Sequence, residues 1–189
     1  VETMTELIEY YKGIFTILSS CASRQLEEVT FRRTVIPVQE LLDAAGKYFK
    51  KSMKNRSERI ELEIEPMEAK VIGDVNQLRF LLENLIDEAL TVREDGVIRL
   101  QARQDNEYIR FLFTDTRREK SVEELNQLFY PNLARMTSGE KGELRGTEYL
   151  VCKQIIRDHD EFAGRRGCRI NAEPAEGGGF TVYFTIPHR

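Results

Sequence analysis

Cysteine is scarce in this 189-residue sequence. Cys21, Cys152 and Cys168 are the three present, far apart and without a CxxC or Cys/His ligand spacing. A disulfide scaffold and a zinc site are thereby excluded as organising principles, and a reducing cytoplasm is the expected setting. Histidine is scarcer still, at His159 and His188, and tryptophan is absent. No apolar run approaches the roughly 18–20 residues that span a bilayer, and no basic-then-apolar leader opens the chain, so no membrane segment is expected within it. An excess of one charge is also missing. The 28 Lys+Arg and 32 Asp+Glu leave a net charge of −4, which makes no case for a nucleic-acid partner. The length suits one compact domain plus a short extra element. The chain opens at Val1 in a helical pattern and is read as a piece of something longer.

What is present is periodicity. Residues 3–28 repeat apolar side chains at helical spacing, with Leu7, Ile14 and Cys21 seven apart. The expected helix either lies on its own domain or forms half of a dimerising hairpin. Val35 and Ile36 read as extended, and Pro37 suits the first turn of a helix over 37–54 that ends in lysines, favourable at the negative end of its dipole. From Ile60 the period becomes two: Ile60, Leu62 and Ile64 alternate with Glu61, Glu63 and Glu65, a strand with one wet face. A short element at Val71 and Ile72 precedes a helix over 75–91. Strands follow over 97–103 and 108–114, then a short helix over 122–129 and a Gly- and charge-rich loop over 133–145. A helix over 146–157 and strands at 168–172 and from Phe180 close the chain. Strands and helices mix without strict βαβ alternation, so the expected class is α+β, a two-layer sandwich.

Several strings in this order carry a resemblance. Asp74 leads through Leu78 and Arg79 to Asn84-Leu-Ile-Asp-Glu88-Ala89. Phe113-Thr-Asp115-Thr-Arg117-Arg-Glu119 ends a strand, and Leu128-Phe129-Tyr130-Pro131 follows a short helix. Leu144-Arg-Gly146-Thr-Glu148 opens a helix reaching Lys153 and His159, and Gly179-Phe-Thr-Val-Tyr-Phe-Thr-Ile-Pro187 ends the chain. Residues 31–187 thereby resemble the ATP-binding domain of sensor histidine kinases, the Bergerat-type fold shared with gyrase, MutL and Hsp90. The resemblance implies a division at residues 1–30, the second helix of a dimerisation hairpin, and 31–189, the ATPase-like domain. It also implies a nucleotide site at Asn84, Glu88, Asp115 and Gly146, with Asp115 accepting from adenine, Glu88 at the Mg²⁺ position and His159 structural.

The framework positions match better than the chemistry. The family's metal-holding asparagine falls at Glu88. A carboxylate can hold Mg²⁺, but without the metal a fixed charge about 4 Å from a phosphate oxygen costs on the order of 4 kcal/mol, about three powers of ten in affinity. The glycines after Asp115 are replaced by Arg117 and Glu119, and of the phosphate-loop glycines Gly146 alone remains, flanked by Leu144 and Glu148. Three readings follow. The first is a pseudokinase-like module of a two-component sensor, with no cofactor expected. It dimerises through its N-terminal helix and docks an upstream sensor region and a response regulator. The second is an active kinase domain that transfers phosphoryl from MgATP to a histidine outside this sequence. The third is another ATPase of this fold, such as an anti-sigma-type serine kinase, which the N-terminal helix and the helix over 37–54 oppose. Two smaller features carry less. Gly139, Gly142 and Gly146 with Lys141 and Arg145 read as a lid or, alternatively, an anion loop, and Arg165-Arg166 between glycines reads as a surface turn or a partner site.

Overall fold

The structure is a computed structural model that describes residues 4–8, 11–12, 31–131, 137–138, 144–145 and 147–189. Residues 4–8 and 11–12 are helical, as the periodicity predicts; the remainder of the expected N-terminal helix lies outside the described residues. From Thr34 onward the order is β1 (Thr34–Pro37), α1 (Val38–Met53), β2 (Ile60–Ile64), β3 (Lys70–Gly73), α2 (Val75–Ala89), β4 (Gly96–Asp105) and β5 (Tyr108–Asp115). Next come α3 (Val122–Gln127), β6 (Thr137–Ser138), β7 (Leu144–Arg145), α4 (Glu148–Phe162), β8 (Ile170–Pro174) and β9 (Phe180–Pro187).

Local chemistry accounts for the element boundaries. Pro37 lacks an N–H and takes the N-cap of α1, while Lys50 and Lys51 occupy its last turn. Asp74 caps α2 by accepting from the Asn76 and Gln77 backbone N–H groups. Ser121 and Glu124 form a reciprocal capping box on α3. Two elements differ from the periodicity reading. α4 runs a turn beyond residue 157, because His159 belongs to the core and is not part of a polar ending. Within the expected loop over 133–145, β6 pairs with β7 in a ladder too short to show alternation.

Five strands form the main sheet in the order β2-β4-β5-β9-β8, with β2 parallel to β4 and the other neighbours antiparallel. Alternation sends Ile98, Leu100, Ile109, Phe111, Phe113, Val182, Phe184 and Ile186 to one face, where all are buried. Phe111 and Phe184 stack across the β5–β9 pair at 4.8 Å. Leu41, Leu42, Leu78, Leu82, Ile155 and Ile156, from α1, α2 and α4, complete the core. The opposite face is polar. Arg99 pairs with Glu63 and Arg103 with Glu65, so the acidic strand face is a wet surface. The class is α+β in two layers, as expected.

A smaller ladder joins the start of the domain to its end. β1 pairs antiparallel with β3, Val71 of β3 bridges to His188, and the Arg189 N–H donates to the Lys70 carbonyl. At the other end of β3, His159 is fully buried against Gly73 and Asp74. The Asp74 N–H donates to His159 Nε2 at 3.1 Å, so Nδ1 carries the proton and donates to the Ile155 carbonyl at 2.8 Å. A Cβ on Gly73 would lie 2.8 Å from that ring, so the position requires glycine. Phe31 closes over the imidazole edge-on at 4.7 Å. Burial lowers the His159 pKa from 6.5 to about 4, against smaller raising effects of the Ile155 carbonyl and Asp74.

The folded state thus binds a proton at His159 less readily than the unfolded chain does. Its contribution to stability is fully present above pH 6.5 and is lost as pH falls toward 4, by about 3 kcal/mol in all. Urea unfolding between pH 7 and 4 should show this slope. His159→Asn should be less stable at pH 7 and have a flatter profile. Parallel profiles for the two proteins would refute the assignment.

Candidate functional site

The end of β5 and the first residues after it carry a buried polar cluster. Asp115 is the last residue of β5 and is 1% exposed. Two residues later the chain turns the Arg117 side chain inward, leaving it 1% exposed. Arg117 Nε donates to Asp115 Oδ1 at 2.9 Å and one terminal nitrogen to Oδ2 at 2.9 Å, a two-pronged pairing of guanidinium and carboxylate. The Arg117 backbone N–H also donates to Oδ1 at 3.0 Å. The remaining guanidinium donors reach the carbonyls of Ala89 at 2.5 Å, Val92 at 3.0 Å and Glu94 at 3.0 Å. Nε and the two terminal nitrogens of an arginine carry five N–H groups, and every one has an acceptor here.

These acceptors explain why the side chain points inward. Ala89 ends α2, and its carbonyl accepts from Arg117 in addition to the Val92 N–H at 3.3 Å. α2 has no basic residue in its last turn, and Arg117 brings a cation to its negative end from another part of the chain. Arg56 does the same at Leu90, donating at 2.7 Å. Gly96 makes room: its φ is +149°, and a Cβ there would lie 2.5 Å from Arg117 Cγ. The pairing was detectable as an arginine two residues after a strand-ending aspartate. The three carbonyls had no signal in the sequence.

Asn84 and Glu88, both expected at the site, lie on α2 with different engagements. Asn84 is buried in α2, and its Nδ2 donates to the Phe80 carbonyl of its own helix at 2.8 Å. Glu88 is half-buried one turn further on. Glu148 opens α4, and its Oε2 is buried without a hydrogen-bond partner. Between them lies Cys152, whose thiol is raised well above its ordinary range by burial, with the Glu148 and Glu88 carboxylates adding to the effect. Gly146 lies outside the described residues. Arg118 Nε is 3.8 Å from Asp115 Oδ2, and its guanidinium lies 6.0 Å from the Phe180 ring centre. The structure brings Asp115 and Arg117 together against the end of α2, the helix that also carries Asn84 and Glu88.

Asp115 is engaged from within the chain. Both carboxylate oxygens are already engaged, and the space in front of them contains the Arg117 guanidinium. The Asn84 amide is turned back onto its helix, and the carboxylates of Glu88 and Glu148 both act on the Cys152 thiol. No group of three or more His, Cys, Asp or Glu side chains able to hold a metal occurs among the described residues.

A family model described as histidine kinase-, DNA gyrase B-, and HSP90-like ATPase matches residues 73–189. No curated protein matches the chain. Among solved structures, a mycobacterial sensor histidine kinase, MprB, is similar with a TM-score of 0.64 and 18% identity over 84% of this chain and 99% of that one. The nucleotide-free catalytic domain of histidine kinase ThkA gives 0.63 and 21% over 82% and 97%. ThkA in complex with the response regulator protein TrrA gives 0.63 and 19% over 100% of this chain and 52% of that one. At these identities the likeness is one of fold.

The buried pair predicts a large structural effect. Arg117→Ala leaves buried Asp115 with the 3.8 Å contact to Arg118 as its remaining ion pair, which should cost about 3–5 kcal/mol of unfolding free energy. Combining it with Asp115→Asn should recover part of that loss. A single variant within about 1 kcal/mol of wild type in urea unfolding would show that the pair is open to water.

Proposed function

Because the chain belongs to the family of histidine kinase-, DNA gyrase B-, and HSP90-like ATPases, we propose that it acts in two-component signalling as a docking and regulatory domain. In this reading its nucleotide site has become a structural salt bridge. The observation that carries the reading is the Arg117 guanidinium, which satisfies Asp115 from within the chain where the family resemblance expects adenine. A competing base has to displace a two-pronged ionic contact and take the guanidinium donors away from three backbone carbonyls, a cost of several kcal/mol. The like charges at Glu88 and Glu148 weaken phosphate binding further.

A role without phosphoryl transfer leaves assembly as the output. The helical residues near the N-terminus present Met4, Leu7, Ile8 and Tyr11 at helical spacing with more than half of each residue exposed. That stripe supports pairing with a second copy of the chain. The fold shared with ThkA, a kinase solved together with a response regulator, supports a response regulator as the docked partner. No helix of the described residues is long and apolar enough to cross a membrane. The reading places the domain in the cytoplasmic part of a sensor protein.

Titration calorimetry with ATP, with and without Mg²⁺, tests the first part. No saturable binding tighter than about 1 mM is expected. A dissociation constant in the low micromolar range would return the site to phosphoryl transfer. Sedimentation of the chain against one beginning at Phe31 tests the second part, with a dimer expected for the longer chain alone. Monomers in both would eliminate the helical dimer.

A further inference from the structure

On the outer face of the β1–β3 ladder is a cavity of about 440 Å³ that shares no residue with the Asp115 cluster. This volume lies within the range of small-molecule sites, roughly 300–1,000 Å³. Its floor is apolar: Val35, Ile72, Ala163 and Pro187. Its rim carries Arg33 and Arg165. Val35 and Ile72 are directly paired across the ladder, so their side chains leave the same face, and Arg33 precedes Val35 by two residues. The Val38 N–H bonds the Ala69 carbonyl, so Val35, three positions earlier in the alternation, points its own N–H and carbonyl away from β3.

The two guanidinium groups reach the rim from unconnected segments. Arg33 crosses over Gly164, whose φ is +93° and where a Cβ would lie 2.6 Å from an Arg33 terminal nitrogen. Glycine at 164 is therefore what admits the side chain. Arg33 has no hydrogen-bond or ion-pair partner among the described residues. Arg165 has a loose one: it lies 3.3 Å from the Glu107 carbonyl and 3.6 Å from the Glu107 carboxylate, and both side chains are exposed. Its neighbour Arg166 is held by Asp160 at 3.1 Å. In a chain of net charge −4, two under-neutralised guanidinium groups beside an apolar hollow form a local exception.

We propose that this hollow is a binding site for an organic oxyanion, a carboxylate or phosphate ester attached to an apolar body. The body rests on Val35, Ile72 and Pro187, and the oxygens are held by Arg33 and Arg165. A guanidinium presents paired N–H donors that match the oxygens of either group, and exchanging water for such a contact is favourable where the flanking surface is already apolar. The apolar floor selects against a bare inorganic anion, which would leave it uncovered.

Amide chemical shifts of the full chain, titrated with phenyl phosphate, benzoate and benzyl alcohol, test the assignment. The two anions should move the Val35, Ile72 and Gly164 amides saturably, and the neutral alcohol should bind about tenfold or more weakly. Arg33→Gln combined with Arg165→Gln should weaken both anions by a similar factor while the remaining amide spectrum stays in place. The site is refuted if those amides do not move, if benzyl alcohol binds as tightly, or if the double variant binds the anions unchanged. A short Leu-Asp peptide compared with phenyl phosphate identifies the source. Tighter peptide binding assigns the site to an acidic segment of a partner protein, and tighter phenyl phosphate binding assigns it to a free phosphate ester.

Discussion

The ion pair between Asp115 and Arg117 sets the terms for everything around it. A carboxylate at the buried end of a central strand must find a counter-charge or donate its burial cost to instability. Here the counter-charge comes from two residues away. The same guanidinium then finishes the backbone accounting at the end of α2, taking the carbonyls of Ala89, Val92 and Glu94. One side chain thus neutralises the strand end, caps the helix and anchors the loop leading to β4. In the reading proposed above, those duties compete with holding a ligand.

The second constraint is the packing of His159 between β3 and α2. Its fixed tautomer accepts from the N–H of Asp74, the residue that caps α2, and leaves no space for a Cβ at Gly73. Asp74 in turn caps α2 and accepts from the Arg32 N–H at 2.9 Å. The position of α2, and hence of Asn84 and Glu88, is therefore set from both ends: by the histidine cluster at its start and by Arg117 and Arg56 at its finish.

Much of this architecture was legible in the sequence because it rests on periodicity. The alternation at Ile60–Ile64 and from Phe180, and the Leu78, Leu82 and Leu85 stripe, located strands and a helix to within a residue or two. The site was legible only in part. The replacement of glycine by arginine at 117 was visible, but the direction of a long flexible side chain depends on acceptors that the fold assembles from distant segments. Asn84 shows the same limit: an amide in a helix can face a ligand or bond its own backbone, and the residue type does not distinguish them. His159 was read as structural, yet the tautomer and the contact with the Asp74 N–H needed coordinates. The short β6–β7 pairing had too few residues for any pattern to appear.

The tie between the two ends of the domain has a mechanical consequence. β1 follows the entering chain at Phe31 and pairs with β3, which bridges to His188 just beyond β9, the penultimate strand of the main sheet. Tension applied at Phe31 therefore travels along antiparallel ladders, loading several backbone hydrogen bonds at once in shear. The helices take part of the load as well, through Phe31 against His159 and the Arg32 N–H on Asp74. A pull from whatever precedes the domain is thus shared between β9, one strand in from the sheet edge, and the starts of the helices.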